Sequence, residues 1–297
     1  MFFVRFKIKN IFSLWFLAGF VIGALLFARY YIASEIESSK LQKKIIPKYT
    51  KEVLEKPKEI KEEPQASQAA KIRFPIIMYH YIEYVKDPND TIRRSLTINP
   101  ALFEYQLKNF KEANYQMYFV REIPDILSGQ IKTSTRSAAL TFDDGYEDFY
   151  TNAFPLLKKY QTKATLYIVA NFVGRRGFLN EMEIKELLTS GLVEIGSHTF
   201  DHAYLKRANP AYARRQIVDS KKKLEDEFGV QIKTFAYPYG AFDNSALDLV
   251  KQASYSAAVA VISGTIQSEG NIFFLSRLRP GFLAGPKMIG VMENFPK

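Results

Sequence analysis

From Arg73 onward the chain alternates short β-rich runs with amphipathic helices, and this alternation restricts the possible folds more than any other feature. Strands are expected over 76–81, 116–120, 138–142, 164–169, 193–196, 234–237, 257–262 and 274–278, from their apolar and β-branched content. The helices between them have readable ends. Asn99-Pro100 starts one, with asparagine as N-cap, proline in the first turn, and Phe103, Leu107 and Phe110 on one face. Asn209-Pro210 starts another that Gly229 ends, and Asn180 with Glu183 forms a capping box before a helix that Gly191 closes. Asp243 caps a helix carrying Leu247 and Val250. Strands that alternate this regularly with helices imply a parallel sheet, and seven or eight such units imply an α/β fold closed into a distorted parallel (β/α)7–8 barrel.

At 297 residues, 47% hydrophobic and 14% aromatic, the chain has material for a large core, which excludes disorder throughout. It has no cysteine, so any metal must be held by nitrogen and oxygen ligands. The formal net charge of +10 suits an anionic partner such as nucleic acid, lipid headgroups or an acidic envelope polymer. Its densest runs, Arg214-Arg215 and Lys221-Lys222-Lys223, lie on an expected helix whose other face offers Ile217, Leu224 and Phe228, which reads as a solvated helix face. No nucleic-acid partner is expected, since no recognised binding motif is present.

Four segments are expected. Residues 1–10, with Arg5, Lys7 and Lys9, form a cytoplasmic N-terminus, and 11–32 form a transmembrane signal anchor. The stretch from Ile11 to Ala28 is uncharged and continues past Arg29 into Tyr30, Tyr31 and Ile32, which meets the roughly 20 apolar residues a membrane-spanning helix needs. A cleaved signal peptide fits less well, because no clear small-x-small cleavage site follows and the apolar run exceeds a usual signal core. Residues 33–72 form a charged linker rich in Lys and Glu, with Pro47, Pro57 and Pro64, which as a flexible coil would reach on the order of 30–35 Å. Residues 73–297 form the folded domain, held outside the cytoplasmic membrane in the cell envelope.

In a parallel barrel the loops after the strands' C-terminal ends build the site. Asp143 and Asp144 of Thr141-Phe142-Asp143-Asp144-Gly145, His198 and His202 of Gly196-Ser197-His198-Thr199-Phe200-Asp201-His202, Tyr239 and His80 all fall at such ends. The chain has three histidines, and two of them sit in this one segment. Burying two imidazoles for packing alone would require partners for four ring nitrogens. Two imidazoles and one carboxylate instead form an open three-ligand metal site, and the second carboxylate is left to take a proton from water. Gly145 relaxes the strict alternation of the strand, so that both aspartates can turn into one pocket. The donor set accepts zinc, cobalt, nickel or manganese.

In order, Thr141-Phe142-Asp143-Asp144-Gly145, Ser197-His198-Thr199-Phe200-Asp201-His202 and Phe235-Ala236-Tyr237-Pro238-Tyr239-Gly240 resemble the first three motifs of the polysaccharide deacetylases of the NodB-homology, carbohydrate esterase family 4 type. The resemblance covers roughly 74–280. The opening Pro75-Ile76-Ile77-Met78-Tyr79-His80-Tyr81-Ile82 is similar to the start of the subgroup acting on poly-N-acetylglucosamine. The resemblance implies that Asp143 is the general base, that Asp144, His198 and His202 hold a divalent metal, usually Zn2+, and that the backbone N–H of Tyr239 binds the oxyanion. In many members the general acid is a histidine of a C-terminal motif. No histidine follows His202, which leaves His80, at a position the similar subgroup uses; the other reading of His80 is a histidine that only orients a neighbour. The family's third motif often opens with an arginine that orients the base, and here Lys233 stands in that region. Arg277 or Arg279 supplies the missing guanidinium, or forms a salt bridge that closes the barrel. Of the flanking Tyr79, Tyr81, Tyr146, Phe149 and Tyr237, one or two would stack on sugar rings, and the rest belong to the core.

The expected activity is therefore metal-dependent hydrolysis of N-acetyl groups on the amino sugars of an extracytoplasmic polysaccharide: peptidoglycan, poly-N-acetylglucosamine or a chitin-like chain. Two other readings share the fold. One is a catalytically inactive polysaccharide-binding or scaffold protein, against which the intact carboxylates and imidazoles argue. The other is a metal amidohydrolase for small amides, against which the membrane tether argues.

Overall fold

The computed structural model describes residues 71–297, apart from 88, 282 and 297. The expected anchor over 11–32 and nearly all of the linker over 33–72 lie outside these residues. Among the described residues, no helix is long and apolar enough to cross a membrane.

Seven parallel strands carry the domain: β1 (Ile76–Tyr79), β2 (Ser137–Phe142), β3 (Ala164–Ile168), β4 (Val193–Ser197), β5 (Thr234–Ala236), β6 (Ala257–Ser263) and β7 (Leu275–Arg277). Each pairs in parallel with the next in that order. The ring is brought almost to closure by Leu278, just past β7. Its N–H donates to the Ile76 carbonyl at 2.7 Å, and its carbonyl accepts from Met78 N–H at 2.8 Å. An eighth strand, Gln116–Tyr118, lies off this path and pairs in parallel with the first half of β2. A register shift between Val259 and Ser263 distorts the β6–β7 edge.

The strands read as unbroken apolar runs because both of their faces are covered. One face packs on the helices: Ala138, Leu140 and Phe142 of β2 share a core with Phe103, Leu107, Phe110, Phe154, Leu157, Ile184 and Leu187. The alternate residues point into the barrel, where Ile76, Ala139, Tyr167, Ala236, Ala257, Val259 and Leu275 form a second cluster. Val120, Ile123, Ile126 and Leu127 join this interior cluster. The space inside is tight. A Cβ at Gly196 would stand 2.4 Å from the Tyr167 ring, so this glycine makes room for the largest interior side chain of β3.

The expected helix ends are present. Asn99 accepts from Leu102 N–H at the start of α1 (Pro100–Glu112). Asn180 and Glu183 form the capping box of α3 (Glu181–Thr189), which follows α2 (Phe154–Tyr160). Asn209 caps a run that passes through a π-helical turn, Arg215–Asp219, into α4 (Ser220–Phe228), and Gly229 ends it in the left-handed region. Asp243 caps α5 (Asn244–Gln252) by accepting from Ala246 N–H. The expected solvated face holds for Lys222 and Lys223, which contact Asp226 and Glu227 one turn later, but not for Lys221, whose side chain is largely covered and donates to the Ala253 and Ser254 carbonyls. Helices Thr91–Leu96, Ile123–Leu127, α2 and α6 (Gly285–Asn294) are additions that the sequence patterns did not announce.

Candidate active site

The inward parity of β2 continues past the strand end. Ala139, Thr141 and Asp143 share it, so Asp143 enters the top of the barrel without any special backbone. Asp144 has the opposite parity and should point outward. Its φ of +77° reverses the chain there, and Gly145 at +79° continues the turn. Thr199, His202 and Tyr239, on the facing loops, also sit at positive φ, between +59° and +69°. Such conformations cost of order 1–3 kcal/mol each and persist where the surroundings over-determine them, most often at functional sites.

Asp143 is buried and gripped at both oxygens. Arg277 donates from Nη1 to Oδ1 at 2.7 Å and from Nη2 to Oδ2 at 2.8 Å. Arg277 is itself buried, and is held in place by donating to the Ala260 carbonyl at 2.9 Å and to Thr141 Oγ1 at 3.2 Å. Burial pushes the Asp143 pKa up, but Arg277 and the neighbouring His198 and His80 outweigh it and hold the carboxyl below its usual range. Of the two arginines singled out in the sequence, Arg277 supplies the guanidinium that orients the carboxylate, and it stands at the barrel seam as well. His80 Nε2 lies 3.9 Å from Asp143 Oδ2. Burial is the largest influence on His80 and lowers its pKa.

Asp144 faces the two other histidines. Its Oδ1 is 3.4 Å from His198 Nε2 and 3.2 Å from His202 Nε2, is buried, and has no hydrogen-bond partner. The other ring nitrogens are accounted for. His198 Nδ1 donates to the Ala236 carbonyl at 2.8 Å, which leaves Nε2 as the free lone pair, and His202 Nδ1 meets the Tyr239 hydroxyl at 3.0 Å. Ligands bound tetrahedrally at roughly 2.0–2.1 Å stand about 3.4 Å apart, so these three atoms fit one shared divalent cation. An orphaned carboxylate oxygen facing two imidazole nitrogens is also an arrangement that a cation would satisfy. Asp144, His198 and His202 therefore form a potential metal site.

The loop that carries the histidines is fastened by residues the sequence analysis did not single out. Buried Gln216 accepts from Phe200 N–H at 3.0 Å and Asp201 N–H at 2.9 Å, and donates to Asp201 Oδ2 at 3.0 Å. Asn171 donates to the other Asp201 oxygen at 2.7 Å. Asp201, the acidic residue of the histidine motif, thus shapes the loop and does not join the ligand cluster. Gln216 falls in the π-helical turn, where helical spacing alone gives no signal for it.

Of the flanking aromatics, Tyr79, Phe149 and Tyr237 are core. Tyr81 stacks on Tyr146 with ring centroids 3.9 Å apart, and Tyr146 is half-buried. The exposed rings at the site are Tyr239 and Tyr204, 6.3 Å apart; the Tyr204 ring and the Tyr239 side chain were not anticipated.

Comparison with known proteins places this geometry in a family. The polysaccharide deacetylase family model matches residues 130–258. YxkH of Bacillus subtilis (strain 168), assigned to the polysaccharide deacetylases, is 31% identical over 207 residues, which cover 70% of this chain and 71% of that protein. The poly-beta-1,6-N-acetyl-D-glucosamine N-deacetylase of Staphylococcus aureus is 28% identical over 198 residues, covering 62% of this chain and 68% of that one. The structure of the Streptococcus pyogenes deacetylase PplD, in complex with acetate, superposes with a TM-score of 0.69 at 30% identity, over 76% of this chain and 99% of that chain. A near-closed parallel α/β barrel, an Asp-His-His cluster at its C-terminal rim and these relatives lead to one conclusion: the chain belongs to the polysaccharide deacetylase family, a family of hydrolases.

Proposed function

We propose that this protein is a metal-dependent N-deacetylase that hydrolyses the acetamides of amino sugars in a polysaccharide outside the cytoplasmic membrane. The observation that carries this reading is the pairing of two adjacent carboxylates with opposite surroundings. Asp144 Oδ1 is left without a hydrogen-bond partner between two imidazole Nε2 atoms, while Asp143 is held by Arg277 in its ionised form. One carboxylate is arranged to hold a cation and the other to accept a proton.

Asp144, His198 and His202 would hold a divalent cation, which when bound would supply Lewis acidity towards water and the acetamide carbonyl. Asp143 takes the proton of the attacking water, and its fixed bidentate contact keeps it aimed during the transfer. The backbone N–H of Tyr239 donates to the developing oxyanion, a type of contact worth about 3–4 kcal/mol. The left-handed backbone at Tyr239 sets the direction of that N–H. The amine must leave protonated. His80, neutral at rest through burial, receives the proton collected by Asp143 and delivers it to the nitrogen; the 3.9 Å between them is closed by one water or a small shift.

The extracytoplasmic location rests on the uncharged run from Ile11 to Ala28 preceded by Arg5, Lys7 and Lys9. An anchored domain suits a polymer too large to diffuse to it. Peptidoglycan, poly-N-acetylglucosamine and chitin-like chains are the candidate substrates, and zinc, cobalt, nickel and manganese the candidate metals. The test is acetate release by the metal-supplemented protein from a panel of such oligosaccharides. Release from at least one, abolished by chelation, is expected; metal binding with no release from any would leave the scaffold reading.

A further inference from the structure

A single exposed tyrosine on a protein surface is ordinary. Among the described residues, Tyr204 and Tyr239 are the one pair of well-exposed rings in contact, with centroids 6.3 Å apart and planes inclined by 38°. The pair is joined to the metal cluster. A line of four rings runs outward from it: His198 to His202 at 5.0 Å, His202 to Tyr239 at 4.7 Å, and Tyr239 to Tyr204. Exposure rises from 2% at His198 to 66% and 56% at the two tyrosines, so the line leads from the reacting centre into solvent.

Both rings are held out by their own backbone. Tyr204 stands between buried Ala203 and Leu205, and the Ala203 N–H donates to Thr199 Oγ1 at 3.0 Å, so the neighbours are anchored and the ring is turned outward. Tyr239 has a φ of +59° and lies between buried Pro238 and Gly240, where a Cβ would stand 2.7 Å from the Val261 side chain. A bulky residue in left-handed backbone is disfavoured against glycine or asparagine, so the turn itself does not account for an aromatic side chain there. The Tyr239 hydroxyl meets His202 Nδ1, which engages the tip of the ring and leaves its face open. The Tyr204 hydroxyl has no hydrogen-bond partner among the described residues, so no polar contact of the fold depends on this ring. Fixed aromatic side chains give contact area at little cost in entropy, and combine an apolar face with a polar tip. A pyranose ring, apolar on its C–H face and hydroxylated at its edge, is the matching ligand. Past Tyr204 the surface continues into a cavity of about 270 Å3 that Lys206 and Arg207 also line, which gives a chain leaving the cluster a course to follow.

We propose that the Tyr204 and Tyr239 rings form a stacking platform for the sugar adjoining the one that is deacetylated, with Tyr204 as the specificity-determining residue of this subsite. The proposal rests on the deacetylase reading and deepens it: the substrate is held at two neighbouring sugars at least, and a lone N-acetylated sugar is a poor one. The polymer runs from the metal cluster over Tyr239 and on to Tyr204.

The test uses the metal-loaded full chain and two series of neutral N-acetylglucosamine oligomers, β-1,4-linked and β-1,6-linked, lengthened one sugar at a time from the monomer. Acetate release and calorimetric binding are measured separately. In at least one series, one added sugar should lower KM about fivefold, the size of a single aromatic stacking contact, and tighten binding alike. Stacking of a neutral ring is not screened, so this step should persist in added salt. In Tyr204→Ala and Tyr204→Leu it should shrink below about twofold, while Tyr204→Phe and Tyr204→Trp keep it. Metal affinity in these variants, read by competition with a chelator, should stay within about twofold, which separates the platform from a disturbance passed through Tyr239 to His202. A step that survives the alanine and leucine variants, vanishes in salt, or is lost only together with metal affinity overturns the platform. Acetate release indifferent to chain length also overturns it, and leaves the deacetylase. Tyr204-dependent binding of oligomers without acetate release from any of them removes the deacetylase and leaves a sugar-binding surface.

Discussion

Two carboxylates buried in the same barrel have been given opposite fates. Asp143 at the C-terminal rim of the barrel meets a buried guanidinium squarely, two nitrogens to two oxygens, and its pKa falls below the usual range. Glu194 of β4 accepts from Thr165 Oγ1 at 2.5 Å and from Arg121 N–H at 3.2 Å, with the half-exposed Arg121 guanidinium 3.3 Å away. Burial dominates there and raises its pKa to about 7. Burial is common to both. What differs is whether the compensating charge is itself desolvated and fixed, and that decides which carboxylate is a ready proton acceptor.

The largest test of this contrast is Asp143→Asn, which should retain metal by elemental analysis while kcat falls by about a thousandfold, within the range for loss of a general base. Full turnover in that variant would assign the base elsewhere. Next, Arg277→Gln should leave Asp143 buried without its partner and cost about 3–5 kcal/mol of stability in chemical denaturation, with a large loss of kcat. Arg277→Lys, offering a single ammonium, should recover only part of each.

A smaller effect separates the two acids by pH. Glu194 titrates near its ordinary 4.5 in the unfolded chain and at about 7 in the folded one. Between these values the folded protein binds the extra proton, so its stability falls as pH rises, and above them the full penalty, about 3 kcal/mol, is present. Asp143 has the opposite sign: its contribution is present above the usual 3.8 and is lost as pH falls through the depressed folded value. Glu194→Gln should therefore flatten the midpoint of urea unfolding between pH 5 and 7 and leave the acid limb in place. An unchanged slope would show that Glu194 is ionised throughout. The smallest expected effect is at Tyr239→Phe, which removes the hydroxyl beside His202 and should weaken metal affinity about tenfold by competition with a chelator.

Much of the barrel was legible because its signals are local. Asn-Pro at 99–100 and 209–210 and the Asn180–Glu183 box mark helix starts within a few residues, and the apolar runs mark strands whose two faces are both covered. The histidine pair at 198 and 202 and the aspartates at 143 and 144 were likewise readable, because ligand type and spacing are properties of short segments. The partners of these groups were not. Arg277 could be named only as one of two arginines with two possible roles, since the choice depends on β7 returning beside β1 after the whole ring has formed. Gln216 was invisible because a π-helical turn rotates it towards the histidine loop against helical periodicity. The outward parity of Asp144 is corrected by its own left-handed backbone, whereas the sequence offered only Gly145 as the hinge.

Leu278, directly after Arg277, carries the two hydrogen bonds that join the last barrel strand to the first, and His80 follows that first strand. The clasp of the ring and the alignment of Arg277 and His80 beside Asp143 are therefore one mechanical element. Fraying at this joint would withdraw the guanidinium and the imidazole from Asp143 together, while the β2–β6 body stayed folded. Warming the enzyme should therefore silence it some degrees before it melts.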